Sequence, residues 1–224
     1  MTLSVAWTWS LNWGVITAEI AVGTCPLGRR DLERIRDEAE VSAVLSLQHD
    51  ECLAHWHIDY TEMARKGRQL GLVMARCPIR DFDPAEMQRC LPEAIRSLAR
   101  LREGGHHTYV HCTAGISRAP LTVFGYLTLV EGLPSDRARE IVMEGRPQSV
   151  PYWEAYEKAR ADLVARLGDM IRRHAADLQR LGRAAGTRDA LEQAEAEILR
   201  EVLSGDGLGI HLDKPHRRPR RKPR

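Results

Sequence analysis

No apolar run in this 224-residue chain approaches the roughly 18–20 residues of a membrane-spanning helix, so no helical span is expected. The opening Met1-Thr-Leu-Ser-Val-Ala-Trp7 has neither a basic stretch nor a long apolar core, which argues against a secretory signal. Aromatic residues are scarce, with two Phe, five Tyr and five Trp and none after Tyr156, so the C-terminal region offers no stacking platform for a sugar. The five cysteines (Cys25, Cys52, Cys77, Cys90, Cys112) are odd in number and contain no Cys-x-x-Cys pair. That argues against a disulfide framework or a zinc site and for a reducing compartment, the cytoplasm. A dominant charge is also lacking, but the net +2 is uneven. From His211 onward there are seven Lys/Arg and one Asp, which leaves 26 basic and 30 acidic side chains in residues 1–210. A mildly acidic body therefore carries a basic tail. The tail from 204 onward is rich in Gly, Pro and Arg and reads as disordered, and its charge suits an anionic surface such as nucleic acid or a membrane.

What the chain does have is an alternation of strand and helix patterns up to about residue 165, with ordinary hydrophobic content. Val15 to Val22 reads as a strand or hairpin arm, Arg30 to Glu40 as a short helix and Val41 to Leu47 as a buried strand. Residues 48–59 carry His49, His55 and His57 without a metal-ligand spacing and read as a surface loop. Thr61 to Gly71 reads as helix and Leu72 to Ile79 as strand. Asp83 then caps a helix that begins with Pro84 and is broken or bent near Pro92. Ser135 is the expected cap of a further helix from Asp136 to Met143. A helix from Tyr152 continues as a stripe of Leu163, Leu167, Met170, Leu178 and Leu181, and Arg188 to Leu203 resumes it after a glycine-bounded break. This predicts an α/β three-layer fold over 1–165 with a central, mostly parallel sheet, a helical extension over 166–203 and the basic tail over 204–224. The extension's stripe suits packing back on the domain or pairing with another chain.

The most informative stretch runs from Thr108 to Pro120, with a β-branched and aromatic strand before it and an apolar helix after it. Between them Cys112 is followed by five small or apolar residues and then Arg118. A strand-to-helix turn aims backbone N–H groups and the positive end of a helix dipole at one point. A phosphate there is held by the amides of Thr113, Ala114, Gly115, Ile116 and Ser117, with Arg118 closing on two oxygens as a planar fork. The same field favours a thiolate on Cys112. A lone cysteine at a strand end is more often a small buried hydrophobe. That does not explain an Arg six residues on, nor a Gly115 where the chain must curl. His111 is read as support for the loop. A general acid must come from a neighbouring loop, where Asp81 and Asp83 are the candidates. No metal or cofactor is required by this chemistry. Cys52 and Cys77 are candidate partners for reversible oxidation of Cys112.

His-Cys, five residues, then Arg resembles the signature of the cysteine-dependent phosphatases, the dual-specificity branch in particular. The run Cys77-Pro-Ile-Arg-Asp-Phe-Asp, then Leu91-Pro92 and Tyr109-Val-His-Cys-Thr-Ala-Gly, is similar to the plant starch-excess glucan phosphatases. So are Asn12-Trp13 through Val22-Gly-Thr-Cys25, and Leu45-Ser-Leu-Gln48. The resemblance implies hydrolysis of a phosphomonoester through a phosphocysteine intermediate, with Asp81 as the acid and Asp83 as a helix cap. Ser117 stands where the glucan enzymes usually carry Gly, a form common in protein-directed members. Ala119-Pro120 follows Arg118 as in the starch-excess enzymes, where most dual-specificity enzymes place Ser or Thr. The expected substrate is accordingly a phosphoprotein or a phosphoglucan, with Phe82, Tyr152 and Trp153 as aromatics that could meet a glycan. A phosphoinositide substrate is disfavoured because Ala114 and Ile116 stand where such enzymes place lysines. An inactive phosphate-binding module is the remaining alternative, and it has no use for Cys112 and Asp81 together.

Overall fold

The computed structural model describes residues 8–204, so the basic tail beyond Ser204 and Trp7 lie outside the described residues. Five strands form one sheet: β1 (Trp13–Thr17), β2 (Ile20–Gly23), β3 (Ala43–Gln48), β4 (Val73–Ile79) and β5 (Thr108–His111), in the order β1-β2-β5-β3-β4. The β1–β2 hairpin is antiparallel, and every other pairing is parallel. The helices are α1 (Arg29–Glu38), α2 (Asp50–His55), α3 (Tyr60–Gln69), α4 (Pro84–Glu103), α5 (Arg118–Leu129), α6 (Ser135–Gly145), α7 (Trp153–Arg180) and α8 (Thr187–Leu203).

Period-2 alternation along the strands sends side chains to two cores. Ile20, Val22, Ala43, Leu45, Leu47, Ile79 and Val110 face the large core built with α4 to α8. Ala21, Val44 and Tyr109, from the same strands, face a smaller one with Leu32 and Ile35 of α1 and Met63 of α3. The result is the predicted three-layer arrangement, a mixed sheet between helices. The centre is β5, and it delivers the chain at its carboxyl end to α5.

Several local expectations are revised. Residues 50–55 form helix α2 rather than loop, because the His49 side chain accepts from the Glu51 N–H and Leu53 is buried. Helix α4 is a single element of 20 residues with Pro92 inside it; the flanking apolar face (Leu91, Ala94, Ile95, Leu98) is fully packed and outweighs one missing hydrogen bond. Asp83 caps α4 as expected, its Oδ1 accepting from Glu86 N at 2.8 Å. Ser135 is the first residue of α6, not its cap, which is Pro134.

Helix α7 runs unbroken through residue 165 to Arg180 and turns back as α8. Leu163, Leu167, Ile171 and Leu178 of α7 and Ala190, Ala194, Ile198 and Val202 of α8 are buried in the large core. Arg96 of α4 donates to the Val202 carbonyl at 2.9 Å, and Arg200 donates to the Val130 carbonyl at 2.8 Å. A guanidinium on the last turn of a helix suits its dipole. The extension therefore packs back on the sheet-and-helix body. Leu181, assigned to the apolar stripe, is exposed because the helix stops one residue before it. Among the described residues no helix is long and apolar enough to cross a membrane.

Candidate active site

Residues 112–117 form the turn between β5 and α5, at the carboxyl end of the sheet's central strand. The backbone of this turn is fixed from outside. His111 Nδ1 lies 2.9 Å from the Cys112 carbonyl, and Cys25 N–H donates to the Thr113 carbonyl at 3.0 Å. Arg146 donates to the carbonyls of Ala114, at 2.9 Å, and Gly115, at 2.6 Å. Val150 N–H donates to the Ile116 carbonyl at 2.8 Å, and Leu121 N–H to that of Ser117 at 3.1 Å. In a trans peptide the N–H points opposite to the carbonyl. Carbonyls tied outward therefore turn the loop's amides inward. Gly115 makes the bend with φ +65°, and a Cβ there would lie 2.4 Å from the Gly23 carbonyl oxygen, so only glycine fits.

Cys112 and Arg118 are both buried at this focus. Burial alone would raise the thiol's pKa. The Arg118 guanidinium and then the Ala119 and Gly115 N–H groups at the sulfur outweigh burial and the opposing Asp81 carboxylate, and the net shift is downward. Burial, with Arg118 adding to it, pushes His111 down to about 4, so the ring is neutral near pH 7. Since a carbonyl only accepts, Nδ1 carries the proton that reaches the Cys112 oxygen.

Arg118 is 1% exposed, and its guanidinium faces four acceptors. It donates to the Ile79 carbonyl at 2.8 Å, to Cys52 Sγ at 3.5 Å, to Thr113 Oγ1 at 3.3 Å and to Asp81 Oδ2 at 2.5 Å. Its Nε, also buried, has no hydrogen-bond partner among the described residues, and neither has Ser117 Oγ. Orphaned buried donors are rare, and one beside a fan of inward amides fits a phosphate oxygen. Of the two candidate acids, Asp81 points into the site and Asp83 is occupied as the α4 cap.

The structure thus brings Cys112, Arg118, Asp81, His111 and the Thr113–Ser117 loop together. Phe82, next to Asp81, stands out from the surface at 86% exposed with a left-handed φ of +55°. Trp153 is instead packed edge-on against Phe124, with Arg139 over its ring, and Tyr152 leans on the same core. Neither joins the site. His49, His55 and His57 form no metal cluster with other ligands, and among the described residues no such group of three exists. Cys52 lies against Arg118, whereas Cys77 is a core thiol beside Cys90.

Sequence reasoning missed Arg146. Its one signal was a cation held between Gly145 and Pro147 in a short loop. The structure also gives a place to Asn12, Cys25 and Gln48, which carry part of the resemblance. Asn12 Oδ1 accepts from Arg146 at 2.9 Å, Cys25 N–H holds Thr113, and Gln48 Nε2 reaches Thr113 Oγ1 at 3.5 Å.

Cys112 and Arg118 thus flank a strand-to-helix turn at the end of a four-stranded parallel core, an arrangement that can hold a phosphate. Residues 37–156 match the family described as dual specificity phosphatase, catalytic domain, and the chain belongs to that family. It is 28% identical over 159 residues to the phosphoglucan phosphatase DSP4 of Castanea sativa, covering 70% of this chain and 42% of that one. It is also 28% identical over 177 residues to laforin of Mus musculus, covering 71% of this chain and 51% of the other. The chain thus spans about half or less of the length of these relatives. Among solved structures it resembles PTPMT1, with a TM-score of 0.55 at 19% identity, covering 70% of this chain and 99% of that one. It likewise resembles the active form of Tk-PTP, with a TM-score of 0.54 at 21% identity, covering 69% and 97%.

Proposed function

We propose that this protein hydrolyses phosphomonoesters through a phosphocysteine intermediate. The observation that carries the reading is the convergence of a thiol below its ordinary pKa, a fork with a free buried Nε and a ring of inward amides on one point. The Cys112 sulfur attacks phosphorus, the S–P bond forms, and the bond to the leaving oxygen breaks as Asp81 gives that oxygen its proton. Arg118 and the amides of Thr113 to Ser117 hold the equatorial oxygens. Water then attacks phosphorus, Asp81 takes its proton, and the S–P bond breaks to restore the thiolate.

The Asp81–Arg118 pair also places the carboxylate beside the fork that a phosphate would occupy. A dianionic phosphate competes for the fork, and the displaced Asp81 carboxylate then faces negative oxygens rather than a cation.

A phosphoglucan is the substrate class this reading favours, supported by the glucan phosphatase relatives and by the exposed Phe82 ring beside the acid. A phosphoprotein is the second reading, favoured by Ser117 ahead of Arg118 and by similarity to a rat dual specificity protein phosphatase. All five cysteines are free, which suits the reducing cytoplasm. The test compares phosphate release from phosphorylated amylopectin with release from phosphotyrosine and phosphoserine peptides, with Cys112→Ser as the blank. Higher specific release from the glucan is expected. Preference for peptides moves the assignment to the second reading, and binding of phosphate without release from either substrate overturns the enzyme reading.

A further inference from the structure

We infer that Arg146 is a positioning residue of the phosphate loop, holding the peptides on either side of Gly115 so that the Gly115 N–H stays on the Cys112 sulfur. The inference rests on the phosphatase reading for its purpose, but its geometry is independent of it. Arg146 is 2% exposed and lies just beyond α6, on the side of the loop that the Ala114 and Gly115 carbonyls face. One Nη donates to the Ala114 carbonyl, which belongs to the same peptide plane as the Gly115 N–H. Its Nε donates to the Gly115 carbonyl, which fixes the plane carrying the Ile116 N–H. These are the two peptides flanking the residue with a left-handed φ, the point where a loop most easily flips.

The remaining partner is Asn12 Oδ1, and among the described residues no carboxylate pairs with Arg146. A buried cation satisfied by carbonyls alone is unusual, since such charges ordinarily sit on carboxylates. Burial lowers the pKa of Arg146, and the neighbouring Tyr109 and Cys112 side chains oppose that shift. The fork geometry matters because one guanidinium reaches two carbonyls and an amide oxygen at once, whereas an ammonium is a point donor. Besides Arg146, the titratable groups around Cys112 are Arg118 and Asp81, His111, Cys25 and Tyr109.

The experiment compares wild type, Arg146→Lys, Arg146→Ala and Asn12→Ala in the pH profile of iodoacetamide alkylation at Cys112. Cys112→Ser supplies the background from the other four thiols. Affinity for inorganic phosphate and the thermal midpoint are measured on the same proteins. Arg146→Lys keeps the charge and loses the fork, so its alkylation profile should move up by about one pH unit and phosphate affinity should fall about tenfold. Asn12→Ala, which leaves Arg146 in place, should shift the profile in the same direction by less. If Arg146→Ala fails to fold, the other two variants carry the test. A Lys variant that matches wild type in both readouts overturns the inference. So do variants that lose thermal stability while the profile stays where it was. Wild-type protein that releases no phosphate would instead sink the phosphatase reading, and the alkylation profile would still report on the clamp.

Discussion

The loop at 112–118 and the C-terminal hairpin of α7 and α8 are held by opposite means. In the loop each carbonyl from Cys112 to Ser117 has its own donor, drawn from β5, from the β2–α1 connection, from Arg146 and Val150 beyond α6, and from α5. The hairpin is held by buried Leu, Ile, Val and Ala side chains, with the Arg160–Glu195 ion pair and the His174–Glu197 hydrogen bond at its rim. Hydrogen bonds are directional and apolar burial is not. Substitution in the loop should therefore remove chemistry at little loss of stability, and substitution in the hairpin should do the reverse.

The sharpest break of that contrast is Arg118→Lys. It keeps a positive charge and loses the fork, so kcat/KM on an aryl phosphate should drop about 10³-fold, with the fold retained by circular dichroism. His111 crosses the boundary between the two behaviours. The unfolded chain takes up its proton near the ordinary value of 6.5, and the folded chain only near 4. The stability that this buried neutral ring confers above pH 6.5 is therefore lost progressively as pH falls toward 4, by up to roughly 3 kcal/mol. Urea unfolding of His111→Asn and wild type between pH 7 and 4 should show a shallower fall for the variant.

In the hairpin, Leu163→Ala should destabilise by about 2–3 kcal/mol in urea titrations, because Leu163 is fully packed. Its kcat/KM should stay within about twofold of wild type. The smallest effect belongs to the rim. Glu197→Gln removes a half-exposed pair with His174 and should change stability by no more than about 0.5 kcal/mol. A large activity loss in either hairpin variant would mean that the hairpin is coupled to the loop rather than merely packed behind it.

The same contrast explains what could be read from the residues. The apolar run Val41 to Leu47 and the Cys112-to-Arg118 spacing are local patterns, and they point to a buried sheet strand and to the candidate phosphate loop, whereas the central place of β5 emerges only in the fold. The Asp83-Pro84 start of α4 was equally local. Helix α2 was missed because its cap is a histidine side chain, a residue outside the usual capping set. Arg146 was missed because its meaning lies in partners 31 and 134 residues away, which no local pattern carries. The preference for Asp81 over Asp83 rests on the resemblance together with the Asp83-Pro84 capping pattern; in the structure Asp83 caps α4, and the contact of Asp81 with Arg118 is what only the fold supplies.

The central claim is that phosphate passes through the Cys112 sulfur. The direct measurement is a rapid-mixing experiment with Asp81→Asn and an aryl phosphate, whose good leaving group needs little acid while the second step still lacks its base. The account predicts a burst of one phenol per enzyme, slow phosphate release, and acid-quenched protein heavier by one phosphoryl group on the Cys112 peptide. Phenol and phosphate released together without a burst, alongside undiminished turnover by Cys112→Ser, would contradict it.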